Sequence, residues 1–351
     1  MSNRLAHLLA THPWLLADGA MGTNLFAMGL QTGDAPELWN VDYPERIAAL
    51  HQRFVDVGAD IILTNTFGGT RYRLKLHKAE ARVAELNERA VRIARDVADA
   101  SGREVAVGGS IGPTGEIMEP IGPLSVADAT AAFTEQAQAL ARGGADAIWI
   151  ETMSSPAEVD AAVAGARTTG LPVVVTLSFD TNGRTMMGVT PAEFAALGSG
   201  HGLAACGSNC GVAPSELVAS ILNLKTAADA SAVLVAKANC GIPQWADGAI
   251  RYDGTPALMA KYACLARDAG ARIIGGCCGT TPEHLRAMKA ALDAHEPGSP
   301  PDLAAIEATL GVISTGAQAQ LRGEQSRLAG AAPGSTRRAG GRRPARGPAA
   351  E

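Results

Sequence analysis

Ala271-Arg-Ile-Ile-Gly-Gly-Cys-Cys-Gly-Thr-Thr-Pro-Glu-His284 is the stretch on which the reading of this chain turns. A short β-branched run delivers two adjacent cysteines to a glycine turn, and Thr281 before Pro282 then reads as the N-cap and first residue of a helix. Cys277 and Cys278 therefore stand at the mouth of a strand, where residues that touch ligands sit in parallel α/β folds. Two such thiols are either small buried hydrophobes or metal ligands. A second stretch, Cys206-Gly-Ser-Asn-Cys-Gly211, again opens from a short strand into a glycine turn ahead of a helix start at Pro214. It adds Cys210 to the same rim. Three protein thiolates with a fourth position open are the donor set of a catalytic zinc site, whereas a structural site closes with a fourth fixed ligand.

Outward from these motifs the strand-turn-helix pattern repeats. Apolar runs begin at Trp14, Ala59, Glu104, Ala145, Leu171, Ala205, Ala232 and Ala271, with helical spacing between them, as in Ile47, Leu50, Phe54 and Val57 before Gly58. In the second run Ile61–Leu63 is unbroken in apolar residues, as strands buried on both faces are. Eight β-then-α units in residues 1–296 predict a (β/α)8 TIM barrel, with ligand residues on the C-terminal ends of the strands. An open doubly wound sheet is the alternative, but no Gly-x-Gly-x-x-Gly fingerprint follows the first strand. Residues 297–351 change to Ala-, Gly-, Pro- and Arg-rich sequence and predict a mostly disordered tail, with a short helix near 302–312 and a basic cluster over Arg337–Arg346.

The strand ends nominate further polar residues. Asp18 ends the first run, as a buried acceptor orienting the next loop or as a substrate contact; Thr64 and Asn65 end the second as further candidate substrate contacts, although an asparagine there also commonly holds loop backbone. Glu151 ends the fourth. A carboxylate there needs a cationic or hydrogen-bonding partner, either an internal salt bridge or the amino group of an amino-acid substrate. Cys206, Cys240 and Cys264 read as packing thiols.

A chain of 351 residues, 47% hydrophobic, with a formal charge of −5, offers no basic field for nucleic acid over its folded part. No apolar run is long enough to span a membrane. Six cysteines and an N-terminus without a signal-peptide pattern make the cytoplasm the expected compartment.

Asp18-Gly-Ala-Met-Gly-Thr23, Thr64-Asn-Thr-Phe67, Gly207-Ser-Asn-Cys-Gly211 and Gly275-Gly-Cys-Cys-Gly-Thr280, in that order, resemble the homocysteine S-methyltransferase family over about residues 12 to 295. That family includes the betaine-homocysteine methyltransferases and the homocysteine-binding module of cobalamin-dependent methionine synthase. The resemblance implies Zn2+ on Cys210, Cys277 and Cys278, with Asn239 in the open position when substrate is absent, and tips Asp18 and Glu151 toward the substrate. The expected partners are homocysteine and a methyl donor, either betaine or another onium compound, or a methylcorrinoid on a separate protein; a second copy of the chain in a homo-oligomer is also compatible. Thr152 follows Glu151, and Gly68 and Gly69 follow Phe67, where the betaine-using animal form has aromatics, so Trp39, Tyr43 or Tyr72 would have to build any onium cage. The contrasting functional reading is a non-catalytic zinc-binding barrel with a regulatory or scaffold role.

Overall fold

The computed structural model describes residues 3–246 and 249–324. Its strands, in chain order, are β1 (Leu15–Leu16), β2 (Ile61–Leu63), β3 (Ala106–Ile111), β4 (Ala147–Met153), β5 (Val173–Leu177), β6 (Ala205–Cys210), β7 (Leu234–Ala238), β8 (Pro243–Ala246), β9 (Ala249–Tyr252) and β10 (Ala271–Gly276). Eight of them form one parallel sheet in the order β1-β10-β7-β6-β5-β4-β3-β2. An Ala17↔Ile61 bridge joins its two edges, so the sheet is a nearly closed barrel with helices around it, a (β/α)8 TIM barrel. The open-sheet alternative falls on that bridge.

Alternation along the strands builds two cores. Ile61, Ala106, Ala147, Trp149, Val174, Ala205, Val235 and Ile273 point inward and fill the lower barrel, while Ile62, Val107, Ile148, Val175, Ala236 and Ile274 point outward beneath the helices. Leu5 and Leu8 of the helix Arg4–Thr11 join the inner cluster. Two residues further along each strand, the same inward face changes chemistry: Trp149 is followed by Glu151, Val235 by Lys237 and Asn239, and Ile273 by Gly275 and Cys277. The apolar plug is thus the floor under a polar layer.

Two features lie outside the expected pattern. β8 and β9 pair as an antiparallel hairpin between β7 and its helix. The helix Leu303–Leu310 is present, and a second one, Thr315–Leu321, follows it. Both dock: Ile306, Leu310, Ile313 and Ala317 are buried in the main core, Asn182 Oδ1 accepts from the Gly316 amide at 2.7 Å, and Gln320 Nε2 donates to the Gly183 carbonyl at 2.8 Å. Glu216 also bonds Ser314. The helix Leu303–Leu310 falls where a short helix is expected near 302–312, while order continues beyond it through Leu321, because scattered apolar side chains there find a surface on the helix Pro214–Ala227 that composition does not reveal. The basic cluster Arg337–Arg346 lies outside the described residues.

His51, on the helix Pro44–Asp56, is fully buried with neither ring nitrogen hydrogen-bonded, and burial pushes its pKa down to about 4. The folded state keeps the ring neutral while an unfolded chain protonates it below about 6.5. Stability from this residue is therefore complete above about pH 6.5 and is lost as pH falls to about 4, by about 3 kcal/mol. Urea unfolding of wild type and His51→Leu at pH 7.5 and 5 checks this: the wild type should weaken more than the variant. Equal acid losses would assign the effect to other groups.

Candidate metal centre and substrate site

The sulfurs of Cys210, Cys277 and Cys278 lie within 4.8 Å of one another, the one such cluster of potential metal ligands among the described residues. Two come from the end of β10, and the third from β6. Alternation alone would send Cys210 outward with Cys206; its backbone is instead left-handed, with φ 62°, and this turns the thiol toward the pair on β10. A non-glycine residue there costs energy that the surrounding bonds must offset. The Cys277 amide donates to the Ala238 carbonyl at 2.6 Å, and the Cys240 amide to the Cys278 carbonyl at 2.8 Å, so the β7 end fixes the Cys-Cys loop. Gly279, at φ 81°, completes the turn, and a Cβ there would overlap the Tyr252 ring.

Three thiols this close cannot all ionise without a cation. Donation to Cys277 and Cys278 raises the pKa of Cys210, while bonds accepted from Cys210 and Cys277 hold Cys278 low. Such a set suits a soft, thiophilic metal ion. Asn239 supplies a second sign of fit: its amide nitrogen donates to the Gly211 carbonyl, beside Cys210, at 2.5 Å, and its Oδ1 is buried without a hydrogen-bond partner. An orphaned carbonyl oxygen next to a thiol cluster is a donor awaiting an ion or a proton.

Glu151 is brought to the same layer. Its Oε1 accepts from Ser110 Oγ at 2.5 Å, and burial first, then the charge of Cys277, pushes its pKa up to about 7. No basic side chain pairs with it among the described residues. Asp18 differs: Lys237 Nζ sits 2.6 Å from its Oδ1, and the Leu63 amide donates to Oδ2 at 2.7 Å. Thr64 Oγ1 accepts from the Ser110 amide at 3.0 Å and bonds Thr66 Oγ1, and the Asn65 amide nitrogen holds the Pro36 carbonyl at 2.7 Å and Asn40 at 3.0 Å. These contacts shape the β2 and β3 loops. Cys206 and Cys240 are buried, the latter against His284 Nε2 at 3.0 Å, and Cys264 is half-buried.

Two residues of the site escaped the sequence reading. Asn209 Oδ1 accepts from the Thr152 amide at 2.8 Å and Thr176 Oγ1 at 2.7 Å, and its nitrogen faces Cys277 Sγ at 3.9 Å. It braces Thr152, itself at φ 61°, and the neighbouring Cys210. Lys237 is the other; a lysine within Leu-Val-Ala-Lys-Ala, on a strand covered on both faces, was the available signal. The Trp39 and Tyr43 rings, expected as cage candidates, already carry the Arg46 guanidinium, 4.9 and 4.6 Å from their centroids. That cation site is filled from within.

The family description that matches this architecture, homocysteine S-methyltransferase, covers residues 15–292. The chain belongs to the homocysteine S-methyltransferase family. Methionine synthase of Mycobacterium tuberculosis (strain ATCC 25618 / H37Rv) is 31% identical over 294 residues, 79% of this chain and 24% of that protein. Methionine synthase of Mycobacterium leprae is 30% identical over 303 residues, 82% and 25% respectively. The chain thus spans about a quarter of the length of these curated relatives. The homocysteine methyltransferase MmuM from Escherichia coli, in its oxidised form, shares the fold with a TM-score of 0.69 and 28% identity over 82% of this chain and 99% of that one. Its metallated form gives 0.69 and 27% over the same shares. Among the described residues no helix is long and apolar enough to cross a membrane.

Proposed function

We propose that the protein is a zinc-dependent homocysteine S-methyltransferase that forms methionine, with Cys210, Cys277 and Cys278 as metal ligands and Asn239 Oδ1 at the fourth position when substrate is absent. The observation that carries this reading is the convergence of three sulfurs within 4.8 Å at the strand ends, beside a buried carboxylate with no ion-paired cation among the described residues. When bound, zinc supplies a Lewis acid that lowers the pKa of the substrate thiol, which free in water is about 8.5 and mostly protonated at neutral pH. The chain's own residues do the rest. Glu151 holds the substrate amino group and so aims the sulfur, Asn209 steadies Cys277, and the apolar floor keeps water from below. Transfer forms the new S–CH3 bond as the donor's bond to the same carbon breaks, and no side-chain nucleophile is required.

The donor is an onium compound such as betaine, or a methylcorrinoid. The Arg46 stack over Trp39 and Tyr43 supports the second, because an onium donor could not use those ring faces. Zinc analysis, homocysteine titration and methionine formation from betaine, S-methylmethionine, dimethylsulfoniopropionate or methylcobalamin test the reading together. Zinc-loaded protein that binds no homocysteine and methylates none with any donor would sink it, and leave the non-catalytic barrel.

Glu151→Gln keeps the side-chain shape and removes the charge. Homocysteine affinity should fall by about ten- to a hundredfold, the loss of one charge-assisted bond of roughly 1.5–3 kcal/mol, with zinc content unchanged. Unchanged affinity would return Glu151 to an internal role.

A further inference from the structure

Lys237 is 1% and Asp18 2% exposed, and the two make a closed unit. Nζ donates to Asp18 Oδ1 at 2.6 Å and to the Asp18 carbonyl at 3.0 Å, and Oδ2 takes the Leu63 amide at 2.7 Å. β10 lies between β7 and β1 in the sheet. Lys237 crosses it where its register partner is Gly275, which has no side chain to bar the way. A Cβ at Gly275 would come within 2.8 Å of the Ala17 carbonyl, so the glycine also lets β1 approach. Both acids expected near the substrate are thus buried, but only one is neutralised. Asp18 has a cation on one oxygen and an amide on the other; Glu151 has a hydroxyl and no ion-paired cation among the described residues, the Lys237 charge reaching it only from a distance.

We propose, resting on the homocysteine reading above, that Lys237 is a positioning residue that sets substrate recognition: it withdraws Asp18 from the substrate's ammonium group and leaves that group to Glu151 alone. The physical basis is the cost of buried charge. A lone carboxylate at Asp18 would need a counter-ion and would compete with Glu151 for the single ammonium, whereas the Lys237 pair makes the floor neutral. Attraction for the ammonium is then concentrated at one point, which fixes the substrate's rotation about the metal end. Lys237 also bonds the Asp18 carbonyl, which accepts the Gly276 amide at 3.1 Å, so the same unit steadies the strand that carries Cys277.

Homocysteine titration into zinc-loaded variants tests this, with zinc content and thermal unfolding measured alongside. Asp18→Asn, which leaves Lys237 its carbonyl bond, should bind homocysteine within about threefold of wild type, against the ten- to hundredfold loss in Glu151→Gln. In the Glu151→Gln background, Lys237→Met should recover affinity by about fivefold or more, because it frees Asp18 Oδ1 for the ammonium. A merely structural Lys237 would give further loss. A tenfold or greater loss in Asp18→Asn with zinc and unfolding temperature intact would put Asp18 on the substrate and overturn the proposal. So would the absence of recovery in a folded, zinc-loaded Glu151→Gln/Lys237→Met protein. Wild-type protein that holds zinc and fails to bind homocysteine would instead overturn the functional reading, and this inference with it.

Discussion

Serine in place of Cys277 is expected to leave a folded barrel without its metal and without turnover. The substitution swaps a soft, ionisable sulfur for a hydroxyl that stays protonated at neutral pH, and removes one of three clustered donors. Structural zinc sites with four ligands bind with about 10–16 kcal/mol, so one ligand is worth on the order of 3 kcal/mol, a hundredfold or more in affinity. Cys210→Ser and Cys278→Ser should behave alike. Turnover should vanish with the ion, since no side chain can stand in for it in lowering the pKa of the substrate thiol. Cys206→Ser, Cys240→Ser and Cys264→Ser are the controls and should retain zinc; at Cys240 a hydroxyl can keep the bonds to Gly254 and His284. Elemental analysis of purified variants decides. Full zinc retention in Cys277→Ser would remove it from the ligand set.

Ending the chain at Gly298 should cost several kcal/mol of stability and much of the soluble yield. Composition alone argues that everything after about Pro297 is dispensable for methyl transfer. The helices Leu303–Leu310 and Thr315–Leu321 argue otherwise. Ile306, Leu310 and Ile313 are buried in the main core, and burying such side chains contributes about 1.5–3 kcal/mol each. Removing them also bares the helix Pro214–Ala227 and takes away both side-chain hydrogen bonds of Glu216, which go to Ser314. Domain stabilities of about 5–15 kcal/mol leave little margin for that loss. A chain ending at Glu324 keeps all of these contacts. Thermal unfolding of the two truncated proteins separates the cases: equal midpoints would show that the helices rest on the barrel without holding it.

The barrel was legible because its signals are local. A continuously apolar run such as Ala147–Ile150 has one stable setting, a strand covered on both faces, and a glycine turn before a Thr-Pro helix start places the next element. The same logic nominated Cys277, Cys278, Cys210 and Glu151, since polar residues at the ends of apolar strands must meet something at one rim. What local signals cannot contain is the identity of the partner. Asp18 reads as a residue in need of a counter-charge, but Lys237, 219 positions away, supplies it only because the sheet order brings β7 within reach of β1 across a glycine. Cys210 faces Cys277 and Cys278 only because Asn209 and Thr152 brace a left-handed turn against strand alternation. The helices past Pro297 fold because a groove on the barrel receives four apolar side chains too sparse to form a core of their own. Burial makes partners obligatory, and sequence announces the obligation; which atoms meet it is a matter of distances that exist only after the chain has closed on itself.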